Sequence, residues 1–191
     1  EDLQAMAPQM TSTAALLPQG LSALGYGCTS ASSVIGTERV AELVGAGCTT
    51  GHVTNPVSAL VAGCKALGIA KLALLTPYAE EVSDSLRLAL KANGIDTPVF
   101  GSFMEPVETK VARIDPSSVR DAAIKLGQDK GADAVFMSCT NLRTLSILQD
   151  VEATCDKPAL SSNQSFFWHM LGLAGTSPKR SDGMLWDHKV G

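Results

Sequence analysis

Residues Ile69 to Leu75 read IAKLALL, followed by TPY at positions 76–78 and by EEVSDSLRLALKA from Glu80 to Ala92. An almost unbroken apolar run of this length reads as a strand buried on both faces, and the Thr-Pro-Tyr that stops it marks the strand's carboxyl end. The period then changes. Val82, Leu86, Ala89 and Leu90 recur at helical spacing between charged residues, and Asn93-Gly94 closes the segment. Buried strand, short turn and amphipathic helix together are half of a parallel βαβ unit, which sets the class as α/β.

The alternation continues outward. Toward the C-terminus the patterning predicts a strand over Thr97–Phe103, a helix over Pro116–Lys130, a strand over Ala132–Met137, a helix over Asn141–Ala153, a short strand over Pro158–Ser161 and a helix over Gln164–Leu173. Toward the N-terminus it predicts a helix over Leu3–Leu17 ended by Pro18-Gln19-Gly20, and a strand over Leu21–Tyr26. A short helix capped by Ser30, Ser32 or Ser33 follows, then one over Thr37–Val44 stopped by Gly45-Ala46-Gly47. A further helix starts at Asn55 with Pro56 in its first turn and ends at Leu67, with Gly68 as its cap. Parallel sheets of this kind are covered on both faces and bind ligands at the carboxyl ends of their strands.

With 191 residues, 45% of them hydrophobic and 18% charged, the chain can bury a real core as one domain or two small ones. Its net charge of −4 and lack of a long basic run give nothing to neutralise a phosphate backbone, so nucleic acid is excluded as a partner. No apolar run approaches the roughly 20 residues of a membrane span and no basic-then-apolar segment opens the chain, so a cytoplasmic location is expected. Cys28, Cys48, Cys64, Cys139 and Cys155 are odd in number and scattered, without CxxC spacing or a histidine at ligand spacing. Neither a disulfide framework nor a metal site is expected.

Two cysteines stand apart. YGCTSAS at 26–32 and MSCTNLR at 137–143 repeat a Cys-Thr pair, each where a predicted strand ends and a helix is predicted to begin. At such turns free N–H groups and the positive helix end favour an anion, and the same field lowers a thiol pKa. Thr29, Ser30, Thr140 and Asn141 add donors suited to a carboxylate, and Tyr78 lies at the end of the IAKLALL strand, where its hydroxyl can orient one. Cys28 and Cys139 are therefore the candidate catalytic pair, with Thr29, Ser30, Tyr78 and Thr140 as candidate substrate-binding residues. Two thiols flanking a small anion can move a proton from one face to the other, or one can add to a double bond while its partner handles protons; neither scheme needs a cofactor. Cys48, Cys64 and Cys155 read as core residues. GAGCTTG at 45–51 imitates a dinucleotide fingerprint but follows a helix, so it reads as a helix stop and loop; His52, His169 and His188 lack acidic or serine partners, and no GxSxG occurs.

GCTS at 27–30, LALLTPYAEEV at 72–82, VARIDPSSV at 111–119 and AVFMSCTNLRTL followed by KPALSSNQ resemble the aspartate/glutamate racemase superfamily, most closely its maleate cis-trans isomerase and arylmalonate decarboxylase branch. The resemblance implies two pseudosymmetric Rossmann-like lobes with parallel sheets, the active site in the cleft between them and one catalytic cysteine from each, Cys28 and Cys139. It divides the chain into a first lobe over 1–67, a second over 68–175 and a tail over 176–191 that packs back on the first lobe. In isomerase relatives the first-lobe thiolate attacks the substrate double bond and the second cysteine assists proton transfer. Tyr78 matches a tyrosine that holds a substrate carboxylate, and Thr29, Ser30 and Thr140 match an anion pocket. Decarboxylase relatives carry glycine at the first cysteine position, so Cys28 speaks against that activity; racemases keep both cysteines. The family opens with a strand and loop carrying a substrate-binding asparagine. That βα unit, of roughly fifty residues, is expected to be absent either from the sequence or from the protein, and in the second case the site would be open.

The resulting expectation is a cofactor-independent isomerase of a small dicarboxylate such as maleate, in a chain that forms homodimers as the family does. Its rivals are an aspartate- or glutamate-type racemase, a relative of the proteins of ectoine utilisation, and a non-catalytic dicarboxylate-binding protein.

Overall fold

The computed structural model describes residues 3–176 and 182–191. Two parallel sheets form. Strands β1 (Leu24–Gly25) and β2 (Val53–Thr54) pair in the smaller one; β3 (Lys71–Thr76), β4 (Asp96–Ser102), β5 (Ala134–Met137) and β6 (Ala159–Ser161) make the larger one in the order β4-β3-β5-β6. The helices are α1 (Ala7–Ala14), α2 (Thr29–Ile35), α3 (Thr37–Gly47), α4 (Pro56–Leu67), α5 (Glu80–Ala92), α6 (Glu108–Val111), α7 (Pro116–Gly127), α8 (Leu148–Cys155) and α9 (Ser162–Leu173), with single 3₁₀ turns at Leu3–Met6, Leu145–Ile147 and Met184–Asp187.

The IAKLALL run becomes β3 at the centre of the larger sheet, where Leu72, Ala73, Leu74 and Leu75 are all buried. At its centre Leu74 sits beside Phe100 on β4 and Phe136 on β5, and Phe136 beside Leu160 on β6; the β3–β4 register shifts once, between Lys71 and Ala73. Leu86 and Leu90 of α5 and Val119 and Ala123 of α7 complete this core. It also takes in Val57, Leu60 and Cys64 of α4, which packs on α9. Asn55 caps α4 by accepting from the Val57 and Ser58 N–H groups through Oδ1, and Gly68 ends it in the left-handed region at φ 69°, which a residue without Cβ adopts at no steric cost. A smaller core of Met10, Ala14, Val40, Val44 and Cys48 joins α1 and α3 beneath β1 and β2.

Five expectations change. The helix expected over Leu3–Leu17 opens as the 3₁₀ turn Leu3–Met6, and its α-helical part ends at Ala14. The predicted strand over Leu21–Tyr26 contracts to Leu24–Gly25, with a lone bridge from Leu21 to Thr50, and its partner β2 lies in a stretch with no strand signal of its own. Helix α7 stops at Gly127, short of Lys130. Helix α3 runs through Gly45-Ala46-Gly47, which had read as a stop. The glycine serves packing instead: a Cβ at Gly47 would lie 2.1 Å from the Thr11 carbonyl oxygen and 3.0 Å from Ala14 Cβ, so α1 crosses α3 at backbone contact. Finally, no helix begins at Asn141; residues 140–144 form a turn, and α8 starts only at Leu148. Gly47→Ala is therefore expected to destabilise the protein by about 1–3 kcal/mol through overpacking, although alanine is the better helix former. Urea unfolding measures it, and an unchanged midpoint would refute the close crossing.

At the C-terminal end the 3₁₀ turn Met184–Asp187 packs Leu185, fully buried, against Gly63 of α4. Both carboxylate oxygens of Glu152 accept from the Met184 N–H, at 2.9 and 3.1 Å, and the Trp168 indole N–H donates to the His188 carbonyl at 3.0 Å. These contacts belong to the stretch assigned from sequence to the tail, of which residues 177–181 lie outside the described residues.

Candidate active site

The carboxyl ends of β1 and β5 each lead into a Cys-Thr turn. After β1 the chain passes Tyr26 and Gly27 and reaches Cys28 in extended geometry, φ −131° and ψ 112°, as the N-cap of α2. The Cys28 carbonyl accepts from the Ser32 N–H at 3.1 Å and the Ser32 hydroxyl at 2.6 Å, and its half-buried thiol lies 3.5 Å from Ser30 Oγ. After β5 the chain passes Ser138 and reaches Cys139 with φ 102°, a region that residues with a Cβ rarely occupy. Such strain, of order 1–3 kcal/mol, persists where surrounding contacts impose it, and it concentrates at functional sites. Here the Cys139 N–H donates to Ser162 Oγ at 3.0 Å, and the Asn141 N–H donates to Cys139 Sγ at 3.4 Å.

The two turns are stitched together. Thr29 Oγ1 donates to Ser162 Oγ at 2.9 Å, the same oxygen that receives the Cys139 N–H. Thr140 Oγ1 donates to the Gly27 carbonyl at 3.1 Å, and Asn163 Nδ2 donates to the Thr140 carbonyl at 2.9 Å. Thr29, only 2% exposed, thus commits its hydroxyl proton to joining the lobes, and Thr140 does the same from the opposite side. Tyr78 is buried behind the pair and receives the Ser138 hydroxyl at 3.3 Å. Sequence reasoning gave Ser162 no role. Its signal was present, since it opens a helix at the end of β6, the same edge that carries the cysteines.

Electrostatics set the Cys139 thiol apart from an ordinary one. Burial pushes the Cys139 thiol up to about 11; the Asn141 N–H offsets part of this, while the Glu108 carboxylate and Cys28 add to it and a hydrogen bond from Tyr78 opposes it. The expectation that its turn would lower this pKa fails, because burial outweighs the local donor and the segment after Cys139 is a turn with no helix N-terminus aimed at the sulfur. Tyr78 is held well above the ordinary tyrosine range by burial and then by Cys139, with Cys28 contributing. Tyr26, which had been read only as part of the motif, has its hydroxyl pushed up to about 12 by burial and by the neighbouring Cys28. Among the described residues no group of three or more His, Cys, Asp and Glu side chains is placed to hold a metal ion, and no helix is long and apolar enough to cross a membrane.

The parallel α/β lobes have the two-lobed fold of the arylmalonate decarboxylase and maleate isomerase branch of the aspartate/glutamate racemase superfamily. Within it, residues 4–185 match the arylmalonate decarboxylase family, and the chain belongs to that family, in the branch shared with the maleate isomerases. It is 28% identical over 148 residues to arylmalonate decarboxylase of Bordetella bronchiseptica, covering 77% of this chain and 60% of that protein. Identity to maleate isomerase of Geobacillus stearothermophilus is 26% over 119 residues, covering 62% of this chain and 47% of that protein. The chain thus matches about half the length of these curated relatives. Among solved structures, a liganded double variant of arylmalonate decarboxylase superposes with a TM-score of 0.87 at 24% identity, over 97% of this chain and 81% of that one. A variant of the maleate cis-trans isomerase of Nocardia farcinica, carrying a covalently bound succinylcysteine intermediate, gives 0.85 at 24% identity, over 96% and 79%.

Proposed function

We propose that the protein is a cofactor-independent cis-trans isomerase of a small dicarboxylate of the maleate type, with Cys28 as nucleophile and Cys139 as proton donor and acceptor. The observation that carries the reading is the direct coupling of the two Cys-Thr turns: Ser162 Oγ receives both Thr29 Oγ1 and the Cys139 N–H, so the cysteines are fixed at one seam. Both also act on the same buried Tyr78 hydroxyl.

The chemistry follows from placing a proton-carrying Cys139 beside the Cys28 turn. The Cys28 thiolate adds to one alkene carbon, and the electron pair displaced to the other is taken up as a C–H bond by the proton of Cys139. The product is a succinyl thioether whose central carbon–carbon bond is single and rotates. Cys139, now a thiolate, removes a proton; the double bond re-forms and the Cys28 thiolate leaves, giving the trans isomer with no net change in protons or electrons. A thiol whose pKa is pushed up to about 11 is protonated before the first step, as this order requires. Ser30 and Tyr78 are assigned to the substrate carboxylates.

Relatives that are decarboxylases and isomerases alike support activity of this general class. A second cysteine at position 28 favours isomerisation within it, since decarboxylation needs a proton donor on one face only. The test incubates the protein with maleate and follows fumarate by proton NMR in deuterated buffer. Fumarate formation supports the reading. No conversion of maleate, with deuterium appearing at the α-carbon of aspartate, would replace it with racemisation.

A further inference from the structure

Glu108 lies outside both Cys-Thr turns, on the short helix α6, yet its carboxylate accepts a hydrogen bond from Asn141 Nδ2. Asn141 belongs to the turn that follows Cys139, and its own N–H is the donor at 3.4 Å from Cys139 Sγ. Glu108 therefore reaches Cys139 by two routes of opposite sign. Through Asn141 it holds in place a donor that favours thiolate; through its charge it favours the neutral thiol. The titratable groups that bear on Cys139 are Glu108 from α6, Tyr78 from the turn after β3 and Cys28 from the turn after β1. Two of these, Glu108 and Cys28, oppose the thiolate.

We propose that Glu108 is a positioning residue for Cys139: by accepting from Asn141 Nδ2 it pins the turn whose N–H donates to the Cys139 sulfur, and it sets a carboxylate beside that turn. Glu108 is exposed and its carboxylate meets the seam at Asn141, so its replacement is expected to leave the buried core unaltered. This inference rests on the cysteine-pair reading above for its catalytic meaning, but its first measurement needs no substrate.

The experiment compares Glu108→Gln, which keeps an acceptor for Asn141 and removes the charge, with Glu108→Ala, which removes both. In a Cys28→Ala background, the pH dependence of Cys139 alkylation by iodoacetamide, read by peptide mass spectrometry, reports the thiol directly. Glu108→Gln is expected to move the profile to lower pH and raise alkylation at fixed pH by about two- to tenfold, the effect of a shift of one pKa unit or less. With Cys28 present, the alkaline limb of kcat should move to lower pH in Glu108→Gln, because Cys139 loses its proton sooner. Glu108→Ala should also lower kcat with little change in KM, and Glu108→Gln should recover that part. Unmoved alkylation profiles in both variants overturn the proposal. A shifted profile in a protein that does not turn over maleate would leave Glu108's control of Cys139 standing and remove the isomerase reading.

Discussion

Cys28→Ala is expected to lower maleate turnover by at least ~10⁴-fold, because no other group supplies the electron pair that starts the reaction, and residues acting as one catalytic unit lose nearly everything singly. The fold should not suffer. Cys28 is half-buried, its sulfur lies 3.5 Å from Ser30 Oγ, and the bonds that frame its turn come from its carbonyl and from Thr29. Cys139→Ser should behave differently. It keeps the nucleophile and weakens the proton carrier, so overall turnover falls while an adduct on Cys28 accumulates. Intact-protein mass spectrometry after incubation with maleate should show a gain of one maleate in Cys139→Ser and none in Cys28→Ala. Turnover retained in Cys28→Ala, or an adduct placed on Cys139 in the wild type, would sink the assignment.

What was legible in the sequence is what local pattern decides. The Asn55 cap, the Gly68 cap and the boundaries of α5 are all set by residues within one turn of where they act, and the apolar run at 69–75 can satisfy its burial only as a central strand. What was misread depends on partners distant in the chain. Gly47 looks like a stop until α1 is laid against α3, since the atom it avoids belongs to Thr11. Leu142 is apolar and in helical phase with the residues that follow, but it is buried from a turn: its N–H bonds back to the Cys139 carbonyl at 3.3 Å, and the positive φ of Cys139 breaks the path into a helix.

The same division runs through the site. Repetition of Cys-Thr at two strand ends marks both turns as candidates, because parallel sheets bind ligands at the carboxyl ends of their strands. Nothing in the spacing says that Ser162, 133 residues beyond Thr29, receives protons from both turns. Nor does local sequence foresee that burial raises the Cys139 pKa where the motif alone suggests lowering. The protonation state of Cys139 is thus a tertiary property, set by what buries the thiol and not by the motif that carries it.

Phe136→Ala is expected to have the largest effect on stability, about 3–5 kcal/mol. The ring is fully buried in the middle of β5, between Leu74 on β3 and Leu160 on β6, and both strands are pinned by their own pairing, so the space it leaves cannot close by a small shift. Against a typical total of about 5–15 kcal/mol, that is roughly a fifth or more of what holds a domain folded. Urea unfolding should show a lower midpoint with an unchanged slope, whereas Phe167→Ala, at a side chain 54% exposed, should stay within about 0.5 kcal/mol of wild type. Below its midpoint, however, the Phe136 variant should keep the alkylation profile of Cys139. The strand end is fixed by the Ser138 N–H to the Leu75 carbonyl at 2.8 Å and by the Cys139 N–H to Ser162 Oγ, and neither bond passes through the ring. A profile that shifts while the chain is still folded would mean that core packing, and not the hydrogen-bonded seam, sets the state of the thiol.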